Sequence, residues 1–74
     1  MIAQLRGKIV DQDETGVIVD CGGVGYSVLI CNDDQSNITG GGEATLYIAE
    51  QIKEDAHELF GFTEKSRKAL FILL

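Results

Sequence analysis

Residues 15–31 read Thr-Gly-Val-Ile-Val-Asp-Cys-Gly-Gly-Val-Gly-Tyr-Ser-Val-Leu-Ile-Cys. Val17, Val19 and Cys21 alternate with smaller or polar neighbours, the period-2 signature of a half-buried strand. Gly22-Gly23 then interrupts the pattern with two residues free to take positive φ, as a tight hairpin turn demands. A second strand follows from Val24 to Cys31, with Val24, Tyr26, Val28 and Ile30 on one face. Gly25 inside it predicts a bulge or a sharp bend. This pair of strands sets the class as all-β.

The pattern continues on either side. Ile2 to Asp11 reads as a strand with Leu5 and Ile9 on one parity and Ile2 and Val10 on the other, closed by a polar turn at Gln12-Asp13-Glu14. Downstream, residues 32–37 are polar and rich in cap formers, enough for one short helical turn. Gly40-Gly41-Gly42 is a flexible break. Glu43 to Ile52 places Leu46, Ile48 and Ile52 on one face and Tyr47 on the other. Lys53-Glu54-Asp55 is a charged turn, and Ala56 to Phe62 is a fifth strand with Phe60 and Phe62 opposite His57 and Leu59. Five short strands in so small a chain predict a closed or partly closed barrel, because closure removes edges open to unwanted pairing. A five-stranded OB-fold Greek-key barrel fits, with residues 32–42 in place of its connecting helix; another small barrel, such as an SH3-like one, fits the pattern alone.

The last segment changes period. Thr63 is a good N-cap, Glu64 suits the positive end of a helix dipole, and Leu70, Leu73 and Leu74 share a face at i, i+3 and i+4. The division expected is a barrel over 1–62 and, over 63–74, a linker with the first part of a helix belonging to a following domain. The helix runs uncapped into apolar residues, so the chain is expected to be cut within it.

Composition narrows the function. Seventy-four residues hold one domain, which at this size buries only about 60–65% of its unfolded surface. An apolar share of 45% suits a globular chain rather than a disordered one. The apolar run Leu70 to Leu74 falls far short of the roughly 20 residues of a membrane span. The opening Met-Ile-Ala-Gln-Leu-Arg-Gly-Lys lacks the long apolar stretch of a secretory leader. Twelve acidic residues against six basic ones give a net charge of −6, which repels nucleic acid on average. Any role with DNA is therefore expected to be indirect or to belong to other parts of a larger protein. Cys21 and Cys31 lack the spacing of zinc or redox sites, and a single His cannot complete a metal cluster. Both are expected to be buried free thiols in a reducing, cytoplasmic setting, with no cofactor.

The remaining candidates are few. Gly22-Gly23-Val24-Gly25 joins strand to strand, without the helix N-terminus or following Lys that a phosphate loop uses. Tyr26, Phe60 and Phe62 fall on apolar parities and read as core, and Arg6 and Lys8 alone make a poor basic groove, so single-strand binding through stacked bases is weakly supported. Leu29, Tyr47 and Leu59 lie on the opposite parity; pointing outward, they suggest a subunit interface. Glu54 and Asp55 are adjacent acids in a turn. They are either a solvated loop or concentrated negative charge at a tip, able to repel a phosphate backbone where water is partly excluded. His57, two residues on, reads as a surface or interface histidine.

Three stretches together resemble one family. Met1-Ile-Ala-Gln-Leu-Arg-Gly7, the hairpin Val19 to Tyr26, and Lys53-Glu-Asp-Ala-His-Glu-Leu-Phe-Gly-Phe62 occur in the order and approximate spacing of the N-terminal domain of RuvA proteins. The resemblance implies an OB-fold first domain followed by a helix-hairpin-helix domain and a small mobile third domain. It implies a homotetramer that holds a four-way DNA junction open during recombination and DNA repair, including the SOS response to DNA damage. The partners implied are the RuvB ATPase, which drives branch migration, and the RuvC resolvase. The family's acidic pin falls on Glu54 and Asp55. On this reading the chain is no enzyme, and it lacks the parts that grip DNA and engage RuvB.

Overall fold

A computed structural model describes residues 1–38 and 40–73, with side chains through Ile72. Five strands precede a C-terminal helix: β1 Gln4–Gln12, β2 Gly16–Cys21, β3 Val24–Ile30, β4 Glu43–Lys53 and β5 Ala56–Phe62. A one-turn helix, α1 (Asn32–Gln35), lies between β3 and β4, and α2 spans Lys65–Leu73. The strands close into a barrel in the order β1-β2-β3-β5-β4. This is the OB-fold arrangement, and the short helix occupies the place expected of it between β3 and β4.

Closure depends on β1, which serves two partners. Gln4 to Lys8 pair with β4 and Lys8 to Gln12 with β2, with a register shift between Ile9 and Asp11. The extra residue of such a bulge bends the strand just beyond Lys8, where β1 passes from one neighbour to the other. The bulge expected near Gly25 is thus on β1 instead; Gly25 pairs regularly with Asp20. At the crossing, Gly7 leaves no room for a side chain: a Cβ there would stand 2.2 Å from the Asp20 carbonyl oxygen. The β2–β3 turn forms as expected, with Gly22 at φ 64° and Gly23 at φ 98°. The seam between β3 and β5 is parallel and short, pairing Leu29 with Phe60 and Ile30 with Gly61.

The core contains Leu5, Ile9, Val17, Val19, Val28, Ile30, Leu46, Ile48 and Leu59, with Ile38 plugging it from the loop after α1. Ile9, Leu46 and Ile48 are at most 1% exposed, and each contributes about 1.5–3 kcal/mol by leaving water. Three expectations are corrected here. Leu59 is buried, not outward-facing, because β5 turns Leu59 and Gly61 inward; a Cβ on Gly61 would lie 2.5 Å from Val28 Cγ1. Phe60 and Phe62 consequently lie outside the barrel, where Phe71 of α2 packs against both at ring separations of 5.2 and 5.3 Å. Cys31 is exposed and Cys21 only half-buried, since β3 ends at Ile30 and Cys31 already stands at the head of α1.

Helix α2 begins close to where its period predicts, but Thr63 does not cap it. The Thr63 hydroxyl donates to Asp34 Oδ1 at 2.6 Å, and Arg67 Nη1 meets the same oxygen at 3.2 Å. Asp34 is fully buried. A buried carboxylate is costly unless paired and hydrogen-bonded, and here both conditions are met by residues of the C-terminal segment. α1 and α2 are thereby pinned to one another. Lys65 over the Tyr47 ring, 5.9 Å from its centroid, adds a contact between α2 and β4. The expected face of Leu70, Leu73 and Leu74 falls, for its last two side chains, outside the described residues.

Candidate functional site

The β4–β5 ladder runs without a break from Tyr47↔Phe62 to Lys53↔Ala56. β1 accompanies β4 only as far as Tyr47, and β3 accompanies β5 only at Phe60 and Gly61. Beyond those points the two strands continue alone as a ribbon. Residues 51–57 are exposed on both faces of it, Ile52 at 73%. Glu54 and Asp55 form the two-residue turn at its end, both exposed. Among the described residues, neither takes part in an ion pair or a side-chain hydrogen bond. The nearest cation in sequence, Lys53, is drawn to Glu58 across the ribbon at 3.5 Å. The tip therefore presents two uncompensated negative charges at the point farthest along the ribbon.

At the base of the ribbon the chemistry is different. The inward row of β4 passes from Leu46 and Ile48 to Glu50, and that of β5 from Gly61 and Leu59 to His57. The Glu50 side chain is only 8% exposed; its Oε1 accepts the Ile2 N–H at 2.9 Å and its Oε2 meets the His57 ring at Nε2. The Ile2 N–H and then the His57 ring hold the Glu50 carboxyl below the usual glutamate range. Sequence reasoning missed Glu50. The signal available was an acid at a position where strict alternation calls for an apolar residue.

Of the other expected site residues, Leu29 and Tyr47 are half-buried on the outer surface, and Leu59 is in the core. Arg6 and Lys8 are exposed but flanked by acids: Arg6 Nε approaches Glu43 at 4.0 Å, and Lys8 pairs in register with Glu43 and Asp20. No cationic groove results on that face. Among the described residues no three His, Cys, Asp or Glu side chains gather as a metal ion would need, and no helix is long and apolar enough to cross a membrane.

The model of the RuvA N terminal domain matches residues 1–61, which cover the whole five-stranded barrel but for Phe62. The chain belongs to that family. It is 43% identical to the Holliday junction branch migration complex subunit RuvA of Parabacteroides distasonis. The subunit of the same name from Bacteroides fragilis is 40% identical, and that from Flavobacterium psychrophilum 43%. All 74 residues align in each case, yet they span only 37–38% of these relatives' length.

Proposed function

We propose that this chain is the barrel module of a Holliday-junction branch-migration subunit, and that Glu54 and Asp55 stand at the junction centre as an electrostatic pin. The carrying observation is the ribbon itself, which projects two unpaired acids away from the barrel. An acid about 4 Å from a phosphate at a protein surface adds roughly 4 kcal/mol of repulsion, and salt screens it beyond about 10 Å. Such a pin acts only on strands brought close to it, and it keeps them apart without holding them. A net charge of −6 fits this division, since the gripping of phosphates then falls to other parts of the protein.

On this reading the module does no covalent chemistry, and the work of migration belongs to a partner ATPase, RuvB, with RuvC as resolvase. Residues 63–74 lead into a helix-hairpin-helix domain. Four copies surround the junction, with Leu29 and Tyr47 as candidates for subunit contacts. Relatives whose names place them in a branch-migration complex support the reading.

The test is the pair Glu54→Gln and Asp55→Asn in the protein that carries this chain at its amino end. Junction binding should be kept or strengthened while the rate or control of branch migration changes. If neither moves, the acids are merely solvated and the proposal fails. Tight binding of single-stranded oligonucleotides by the 74-residue chain would instead favour an ordinary OB-type binding module.

A further inference from the structure

The base of the acidic ribbon holds a second set of polar contacts that a purely electrostatic tip does not require. We infer that Glu50 and His57 are positioning residues: together with the Ile2 N–H they brace the ribbon where it leaves the barrel, and so fix where Glu54 and Asp55 point. The inference rests on the pin reading for its functional meaning, but its structural part stands alone.

An isolated two-stranded ribbon is marginally stable in water at best. Past Ala49 this one has lost β1 on one side and, past Phe60, β3 on the other. Its own pairing fixes the register but leaves its angle to the barrel free. Glu50 supplies the missing constraint, because its carboxylate joins three chain segments. Oε1 takes the N–H of Ile2, from the segment whose Ala3 carbonyl accepts the Ile48 N–H at 2.9 Å. Oε2 takes His57, its diagonal neighbour on β5 and the partner of Ile52. Diagonal pairs of this kind reach each other across a sheet face. Both residues occupy inward-facing parity at the mouth of the barrel, where the Glu50 side chain is nearly buried and would be poorly hydrated if left unpaired, while the His57 ring reaches solvent. The bonds here involve an ionised group, which makes them stronger than neutral ones.

The readout is backbone order in the 74-residue chain, measured by nitrogen-15 relaxation in Glu50→Ala, Glu50→Gln and His57→Ala. In Glu50→Ala, order parameters of residues 51–57 should fall from the rigid range of about 0.85 to below about 0.6, while core amides of β1 and β2 keep theirs. Glu50→Gln can still accept from Ile2 and bond the ring, and should retain most of the order. If Glu50→Ala disturbs the whole barrel, His57→Ala decides, because that side chain is half-exposed and its loss leaves the core intact. Unchanged order at 51–57 in the variant that keeps its barrel overturns the brace. A loosened ribbon, with branch migration indifferent to Glu54→Gln and Asp55→Asn, keeps the brace and removes the pin. A rigid ribbon in Glu50→Ala with migration sensitive to the tip does the reverse.

Discussion

One pair of strands, β4 and β5, builds two unlike regions. Within the barrel, from Thr45 to Ala49 and from Leu59 to Phe62, each strand has a second neighbour at some point, and the inward row is Leu46, Ile48, Leu59 and the space left by Gly61. Beyond it the same ladder continues, but the inward row becomes Glu50, nearly buried at the mouth, and then Ile52 and His57, with water on both sides. Hydrogen bonding between the strands is the same in kind on either side of the boundary. What differs is whether side chains have an interior to enter. The inner region derives its stability from burial, and the outer region is free to carry charge at little cost to the fold.

The sharpest way to break this contrast is to truncate equivalent apolar residues on either side of it. Leu46→Ala should cost about 2–5 kcal/mol in urea unfolding, a large part of the whole stability of a small domain. Ile52→Ala, three pleat repeats further along the same row, should stay within about 0.5 kcal/mol. Comparable losses at both would mean that the ribbon is covered in the folded chain. Next in size is Asp34→Ala, which leaves Thr63 and Arg67 without their acceptor. A loss of about 1–3 kcal/mol is expected for the unmet groups, moderated because the Arg67 side chain is 37% exposed and can be hydrated. The effect should concentrate in α2, read as faster amide exchange at Lys68, whose N–H bonds the Glu64 carbonyl, while barrel amides are spared.

Smaller still is the pH response of the ribbon base. The folded Glu50 carboxyl lies below its ordinary value, through the Ile2 N–H first and His57 second. Its contribution is therefore present above the ordinary glutamate pKa and is lost as pH falls through the depressed one. The Met1 ammonium and His57 face it; Lys53 and Glu58 pair with each other further along the ribbon. Acid titration followed by carbonyl chemical shifts should show residues 50–58 loosening before the barrel unfolds. A ribbon that holds its shifts until global unfolding would count against a charged brace. Glu54→Gln with Asp55→Asn, finally, should leave unfolding unchanged within about 0.5 kcal/mol, so that any change in branch migration can be assigned to charge.

The sequence made the strands legible because alternation reports which residues share a face. It identified the β2–β3 turn and the acidic tip almost to the residue. Alternation does not say which face is inside. That is why parity alone puts Leu59 outside and Phe60 and Phe62 inside: the phenylalanines share an apolar parity, but Gly61 between them marks the inward row, and α2 covers the phenylalanines instead. Glu50, where the alternation of β4 fails, and Asp34, one acid in a polar helical turn, are the polar anchors of the ribbon and of α2. Their partners, Ile2 and Thr63 with Arg67, are distant in sequence, and no local pattern could pair them.

The two-pair seam at Leu29–Phe60 and Ile30–Gly61 bears on the order of assembly. Its strands are some thirty residues apart in the chain, whereas the β2–β3 and β4–β5 hairpins close over two-residue turns. Local hairpins form on microsecond timescales, and a distant pairing must first overcome the entropy of closing a long loop. With only two ladder pairs to offset that cost, against five where β1 meets β4 over a comparable separation, the seam is expected to be the last part of the wall to knit and the first to part, which amide exchange at Ile30 and Gly61 would show. The barrel is in this sense a rolled sheet held by a short stitch.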